Sequence, residues 1–388
     1  MVVSPGPSII PDRVLAAMSK PMPNMYQGEI IEVSHNVFAK LGELARTSAQ
    51  PFVVIGNGHA AWEMAVSNTM SRGDKVLAVQ TGRFAVAWGG LASVSGVEME
   101  VVPGHDRRPA DLDALGARLE ADTDHEISAV LVAQTDTATS VRNDVAAIRA
   151  TLDAAGHPAL LMVDCIASLG CDRYEMDAWG VDLTVAACQK GLMVPPGIAF
   201  VWAGEKALAA YERADLRCGY FDWGTRIEPE VHYQLFCGTL PISHLYALAE
   251  AMAMIDEEGG LEAVWRRHEI LASAVHAAVG AWSTPDGIGF QIPDPEHRSN
   301  AVTTVLTGSW SSLDVARVCE SEMGLTLGAG IGGFEGRAFR IGHMGHLNPP
   351  MILGTLGTVE AGLTALGMPL GGSGVAAAAD TIAKAITT

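Results

Sequence analysis

The sequence predicts an α/β protein: a large unit built on an open, mostly parallel sheet with helices on both faces, then a smaller α+β unit. Three observations carry this. Short apolar, β-rich runs alternate with helical spacing over about the first 200 residues. Residues able to do chemistry fall just after predicted strands, where ligands gather in such sheets. Beyond Trp202 the alternation stops and the pattern changes.

Composition agrees with a large core. The chain has 388 residues, 49% hydrophobic and 18% charged, a length that favours two or three domains and argues against disorder. Its 25 basic and 44 acidic residues leave a formal net charge of −19. Such a surface repels phosphate backbones, so neither a nucleic acid nor an anionic membrane is an expected partner. Six cysteines form no CxxC pair, so no zinc or redox motif is offered and no metal is expected. Reduced thiols in the cytoplasm are the expectation. No apolar run approaches the roughly 18 residues of a membrane span, and Met1–Pro7 lacks the basic region and apolar core of a signal peptide.

Taken in order, Pro5, Pro7 and Pro11 keep the first residues extended, and a short helix is expected from Pro11. Ile30, Val33, Val37, Leu41 and Leu44 give Glu29–Ala45 helical spacing. Pro51–Ile55 reads as a strand, Gly56–His59 as a tight loop and Ala60–Met70 as a helix. Strands are then expected at Lys75–Val79, Val97–Val102, Ile127–Ala133, Leu160–Val163, Leu183–Ala187 and Ile198–Trp202, with helices at Pro109–Glu120 and Val145–Ala155. After Trp202 come a helix at Glu205–Arg213 and an irregular aromatic stretch, 214–240. Helices follow at Ile242–Glu258 and Leu261–Val279, separated by Gly259-Gly260. The last part carries strands at Val302–Leu306, Leu325–Leu327 and Ala338–Ile341, and helices at Leu313–Met323, Met351–Leu366 and after Gly374. The expected division is an arm at 1–15, a large domain at 16–258 and a small domain at 259–388.

Gly58, Phe84, Thr137, Asp164 and Lys190 all fall near predicted strand ends. Each alone has an ordinary reading. Asp164 could cap a helix, Phe84 could pack in the core, Lys190 could sit on a solvated turn, and Gly56-Asn57-Gly58 could be a plain βα turn. Together they match one need. A flat aldehyde cofactor with a phosphate requires a lysine to form an imine, a carboxylate opposite the ring nitrogen, a stacking ring and an anion cradle at a helix N-terminus. Pyridoxal 5'-phosphate is that cofactor.

Three motifs carry a resemblance over essentially the whole chain: Val163-Asp164-Cys165-Ile166-Ala167-Ser168-Leu169-Gly170, Cys188-Gln189-Lys190-Gly191 with Pro195-Pro196-Gly197, and Phe339-Arg340-Ile341-Gly342-His343-Met344-Gly345. The chain resembles the class V aminotransferases of fold type I, in the alanine/serine–glyoxylate group. That resemblance implies a fold type I transferase in which Lys190 forms the Schiff base and Asp164 pairs with the pyridine nitrogen. Ile166 and Phe84 cover the two ring faces. Asn57, Gly58, His59 and Gln189 hold the phosphate, and Thr137 contacts the cofactor. Arg340 grips the substrate carboxylate; without the resemblance it reads as a surface ion pair. Tyr26 and Ser8 lie on the substrate side. Thr239 reaches the phosphate of a neighbouring subunit, so the resemblance implies a homodimer with shared active sites. The implied reaction moves the amino group of serine, alanine or aspartate to a 2-oxo acid, glyoxylate or pyruvate.

The sequence departs from the pattern at three places. Tyr26-Gln27 stands where glyoxylate-using relatives often have His-Arg, Phe236 where many have tyrosine, and Ser140 where glycine is frequent. Tyr26-Gln27 keeps a pyridoxamine–pyruvate transaminase open as an alternative. A lyase or desulfurase using Cys188 or Cys237 is a second, and a catalytically idle dimer a third. A nicotinamide dehydrogenase is disfavoured because Gly56-Asn57-Gly58 lacks the third glycine of that fingerprint.

Overall fold

The computed structural model describes residues 1–387. Residues Val2–Val3 form β1, and the chain enters the large unit through helices α1 (Asp12–Met18) and α2 (Glu29–Ala45). Strand and helix then alternate: β2 (Gln50–Gly56), α3 (Gly58–Thr69), β3 (Lys75–Val79), α4 (Phe84–Val94), β4 (Glu98–Val102), α5 (Leu112–Ala121), β5 (Ile127–Ala133), α6 (Val145–Ala154) and β6 (Leu160–Asp164). Strands β7 (Leu183–Ala187) and β8 (Gly197–Ala203) close the series.

These strands make one seven-stranded sheet in the order β2-β8-β7-β6-β5-β3-β4. All neighbours are parallel except β8, which runs against both β2 and β7. Alternate residues face opposite layers. Val53, Val130, Val132, Leu161 and Val163 pack toward α2, α5 and α6, while Val54, Ala129, Leu131 and Met162 pack toward α3 and α4. Burial on both faces explains the continuous apolar strands seen in the sequence. Asp111 and Asp144 cap α5 and α6 through Ala114 and Ala147 amides, which fixes where those helices begin.

Helix α4 is absent from the sequence expectation. Its stretch, Phe84-Ala-Val-Ala-Trp-Gly-Gly-Leu-Ala, is apolar all round and carries two adjacent glycines, so no amphipathic period marks it. Another addition is β1, which pairs in parallel with Thr326 and Leu327 of the second sheet. The expected extended arm is thus tied into the far end of the chain by a strand too short to read from sequence.

After β8 come α7 (Glu205–Tyr211), the single turn α8 (Gly224–Ile227), α9 (Ile242–Glu258) and α10 (Leu261–Trp282). Gly259, at φ 114°, ends α9 in the left-handed region. Leu261, Val264 and Trp265 of α10 still belong to the core of the large sheet, whereas Leu271 onward packs in a second core. That second core covers a five-stranded sheet, β1-β11-β12-β10-β9. Its remaining elements are β9 (Gly289–Phe290), β10 (Val302–Leu306), α11 (Ser312–Met323), β11 (Thr326–Ala329), β12 (Ala338–Gly342), α12 (Pro349–Ala365) and α13 (Gly374–Thr387). Among the described residues no helix is long and apolar enough to cross a membrane.

Candidate active site

The carboxyl ends of β2, β3, β5, β6 and β7 converge on one cleft of about 220 Å³. From β2 and α3 it receives Asn57, Gly58 and His59, and from the start of α4 it receives Phe84. The loop after β5 gives Thr137, β6 and the turn beyond it give Asp164 and Ile166, and the turn after β7 gives Gln189 and Lys190. Nine of the sequence-selected residues therefore meet in one place.

One end is built for an anion. Asn57 caps α3 by accepting the His59 amide at 3.0 Å, and no acidic residue occupies the first turn. The free amides and partial positive charge of a helix N-terminus favour a negative group there. Gly58 is required by packing: a Cβ would lie 2.3 Å from Ile166 Cδ1. Gln189 has a buried Oε1 with no hydrogen-bond partner. Nothing among the described residues holds the amide that way round, and turned about its Cγ–Cδ bond it presents N–H donors to an anion in place of the oxygen.

The other end is built around Asp164. Oδ1 accepts the Ile166 amide at 2.7 Å and Oδ2 accepts the Trp62 indole N–H at 2.9 Å. Burial nevertheless pushes the carboxyl up to about 7, because two donors and the nearby Lys190 do not offset lost hydration. Trp62 also lines the cleft, sits 4.5 Å from the His59 ring and stacks on Trp88 at 6.0 Å. Sequence reasoning missed Trp62. Its only local signal is its place one turn after Gly58 on α3, and its partner Asp164 lies 102 residues away.

Asp136 was also missed. It is buried, and its carboxylate accepts the amides of Arg83, Phe84 and Ala138 at 2.6, 2.8 and 2.8 Å. It thereby fixes the ring of Phe84 relative to the loop carrying Thr137. Ser140, in the same loop, has φ 66°, which explains why glycine suits the position.

Lys190 is half-buried and drawn down to about 8, first by desolvation and then by the Arg340 charge, against the opposing pull of Asp164. Its Nζ donates to the Pro5 carbonyl. Gly6 packs so closely on the lysine that a Cβ there would overlap Lys190 Cε. Ser8 Oγ donates to the Lys190 carbonyl at 2.7 Å, and the Ser8 amide to the Gln189 carbonyl at 3.0 Å. Behind this clasp, His268 is neutral: Nδ1 donates to Val264 and Nε2 accepts the Gly345 amide, with burial holding the ring down to about 3. Both ring nitrogens of His268 are thus committed to the backbone.

Arg340, on β12, reaches toward the cleft from the second sheet. Nε donates to Ala329 at 2.7 Å and Nη1 to Thr137 at 2.9 Å, both backbone carbonyls. Among the described residues no carboxylate forms an ion pair with it, so the surface ion-pair reading does not hold. Nη2 makes no hydrogen bond among those residues, which leaves one edge of the guanidinium open.

Four selected residues do not line the cleft: Ser8 and Arg340 stand beside it, bonded to Lys190 and Thr137, while Tyr26 and Thr239 lie on the surface. Tyr26 is 71% exposed and meets Tyr233 edge-on, and Thr239 is exposed. Phe236 is buried against Phe38. Neither candidate thiol lines the cleft. Cys188 faces the Pro195 carbonyl and is pushed up to about 11 by burial, and Cys237 contacts Gly219. The burial of Cys188 and the position of Cys237 away from the cleft disfavour the desulfurase alternative.

Comparison with known proteins agrees. A family model, aminotransferase class-V, matches residues 2–333. The serine–glyoxylate aminotransferase of Methylorubrum extorquens is 38% identical, over 96% of this chain and 94% of that one. The L-aspartate–glyoxylate aminotransferase of Paracoccus denitrificans is 37% identical over the same shares, 96% and 94%. Among solved structures, pyridoxamine-pyruvate aminotransferase from Mesorhizobium loti superposes with a TM-score of 0.89 at 25% identity, covering 99% of this chain and 97% of that one. With its fold, its strand-end cleft and these relatives in agreement, the chain belongs to the class V aminotransferase family.

Proposed function

We propose that this aminotransferase uses pyridoxal 5'-phosphate to carry the amino group of a small amino acid (serine, alanine or aspartate) to glyoxylate or pyruvate, in two half-reactions with ping-pong kinetics. The observation that carries the reading is that the Lys190 amine and the Asp164 carboxylate line one cleft with an anion cradle at its end. The residues fit the cofactor chemically. Gly58 and the α3 N-terminus suit a phosphate, the unpaired Gln189 amide awaits a partner, and Asp164 suits a protonated ring nitrogen.

When bound, the cofactor supplies an electron-poor ring that stabilises negative charge at the carbon bearing the amino group. The chain's residues do the rest. Asp164 would be ionised by pairing with the ring nitrogen and would keep that nitrogen protonated. Ile166 and Phe84 would cover the ring and exclude water, Asn57, Gly58, His59 and Gln189 would hold the phosphate, and Thr137 would contact the cofactor through its hydroxyl. Lys190, near 8, is partly neutral at physiological pH, so its Nζ can attach the cofactor and later take and return the substrate α-proton. The open edge of Arg340 binds the substrate carboxylate by charge-assisted hydrogen bonds. Ser8 holds the lysine turn beneath the substrate.

An acid-free first turn of α3 favours a phosphorylated cofactor over free pyridoxamine as the resident ring. Thr239 and Tyr26, surface groups away from their own cleft, support a homodimer in which each subunit completes the other's site. The test is a donor panel of serine, alanine, aspartate and pyridoxamine against glyoxylate and pyruvate, followed at the cofactor's visible absorption. Turnover with amino acids is expected. Activity with pyridoxamine alone, or no cofactor uptake, would overturn the reading. Light scattering checks the dimer, and a monomer that turns over fully would sink it.

A further inference from the structure

We infer that Trp62 is a positioning residue: its indole N–H orients the Asp164 carboxylate and ties it to the helix that carries the anion cradle. The inference deepens the cofactor reading above and rests on it for its consequence in binding. The geometry is local and specific. Asp164 has two oxygens, and each has one committed donor, the Ile166 amide and Trp62 Nε1. The amide belongs to the turn that Asp164 itself begins, so it follows the carboxylate and cannot fix it against the rest of the cleft. The indole comes from α3, the helix whose first residues are Gly58 and His59.

Trp62 is itself held in place. It is 1% exposed, its ring stacks on Trp88 with planes 12° apart, and its carbonyl accepts Trp88 Nε1 at 3.3 Å. The His59 ring lies against it on the cleft side. A rigid donor of this kind leaves the carboxylate one orientation, with its remaining lone pairs free for a second donor in the cleft. It also stabilises the ionised form against the desolvation that raises the group. The sheet sets the distance between cradle and carboxylate, and the indole couples the carboxylate's orientation to the helix of the cradle, so that an anionic arm and a ring nitrogen can be satisfied together.

The test is equilibrium binding of pyridoxal 5'-phosphate to the full chain freed of cofactor, comparing wild type with Trp62→Phe, which keeps the ring bulk and removes the N–H. The dissociation constant should rise by roughly tenfold or more, and the pH midpoint of the bound cofactor's visible band should shift. In the Asp164→Ala background the same substitution should cost little, because the acceptor it serves is gone. An unchanged dissociation constant and spectrum in Trp62→Phe overturns the inference. So does a penalty of equal size in the Asp164→Ala background, which would assign the effect to packing. If Trp62→Phe does not fold, the wild type still decides. In the cofactor-free chain the Trp62 indole proton resonance should move with pH through the ionisation of Asp164, and a flat resonance overturns the inference. Wild type that binds no pyridoxal phosphate refutes the cofactor reading instead, while the indole titration still decides the role of Trp62.

Discussion

The two walls of the cleft are held differently. The wall made by the seven-stranded sheet is fixed by donors from within that sheet's own layers: Asp136 to the Arg83 and Phe84 amides, Asp164 to Ile166 and Trp62, Asn57 to His59. The opposite side is fixed by backbone carbonyls lent across the two units. Arg340 of the second sheet leans on Thr137, Lys190 on Pro5, and Ser8 on Lys190. The first wall is complete once one sheet has folded. The second exists only when the arm and the five-stranded sheet dock. The wall should therefore govern what holds the cofactor, and the docked side what holds the substrate and presents the lysine.

Lys190 belongs to both, so its loss should have the largest effect. Lys190→Ala should lower turnover by at least about 10⁴-fold and remove the visible absorption of the attached cofactor. Rapid-mixing assays with the absorbance spectrum check both. Full activity would break the division at its centre.

Asp164 tests the wall without substrate. In the cofactor-free chain its pKa of about 7 lies above the unfolded value of 3.8. The folded state then binds more protons between those pH values. The contribution is fully present below 3.8 and is lost as pH rises through about 7, worth up to about 4 kcal/mol. Buried His268, His276 and His343 titrate in the opposite sense in any variant, so the test is a difference. Denaturant melts of cofactor-free wild type and Asp164→Asn from pH 4 to 8 should show the wild type's relative stability falling across that window. A difference that does not change with pH would show the carboxylate to be well solvated or paired.

Arg340 tests the docked side. Arg340→Lys loses the forked donor that serves Thr137, Ala329 and the open edge together. The value of kcat/KM for carboxylate substrates should fall about 100-fold, mostly through KM. Cofactor affinity should stay within about twofold, since the change lies off the wall. Equal losses in both would merge the two walls into one.

The same contrast decides what was legible in the sequence. Strands β2 to β8 and the helices α5, α6, α9 and α10 announce themselves by period and by short-range caps such as Asp111 and Asp144. Gly58, Phe84, Thr137, Asp164 and Lys190 follow strand ends, so local order places them, whereas the roles of Asn57, His59, Ile166 and Gln189 entered through the family resemblance. Trp62 and Asp136 act on partners 102 and about 50 positions away, and nothing within one turn of either marks the contact. Helix α4 hides because apolar residues run all round it and two adjacent glycines interrupt it, so no amphipathic period shows. Strand β1 hides because two residues carry no period. Arg340 and Ser8 entered through family motifs, since their chemistry depends on long-range docking that local pattern does not encode.

The smallest expected effect comes from the arm. Ser8→Ala removes one hydroxyl bond to the Lys190 carbonyl but leaves the Ser8 amide on Gln189. A partly buried hydrogen bond of this kind contributes about 1 kcal/mol, so turnover should fall about fivefold, with the cofactor's dissociation constant unchanged. The arm would then act by steadying the lysine turn during proton movement and not by holding the ring. Equilibrium cofactor binding and steady-state rates on the same preparation separate the two. A loss of cofactor affinity matching the loss of turnover would instead put the arm on the cofactor wall, and the border between the two sides would have to be redrawn through Gln189.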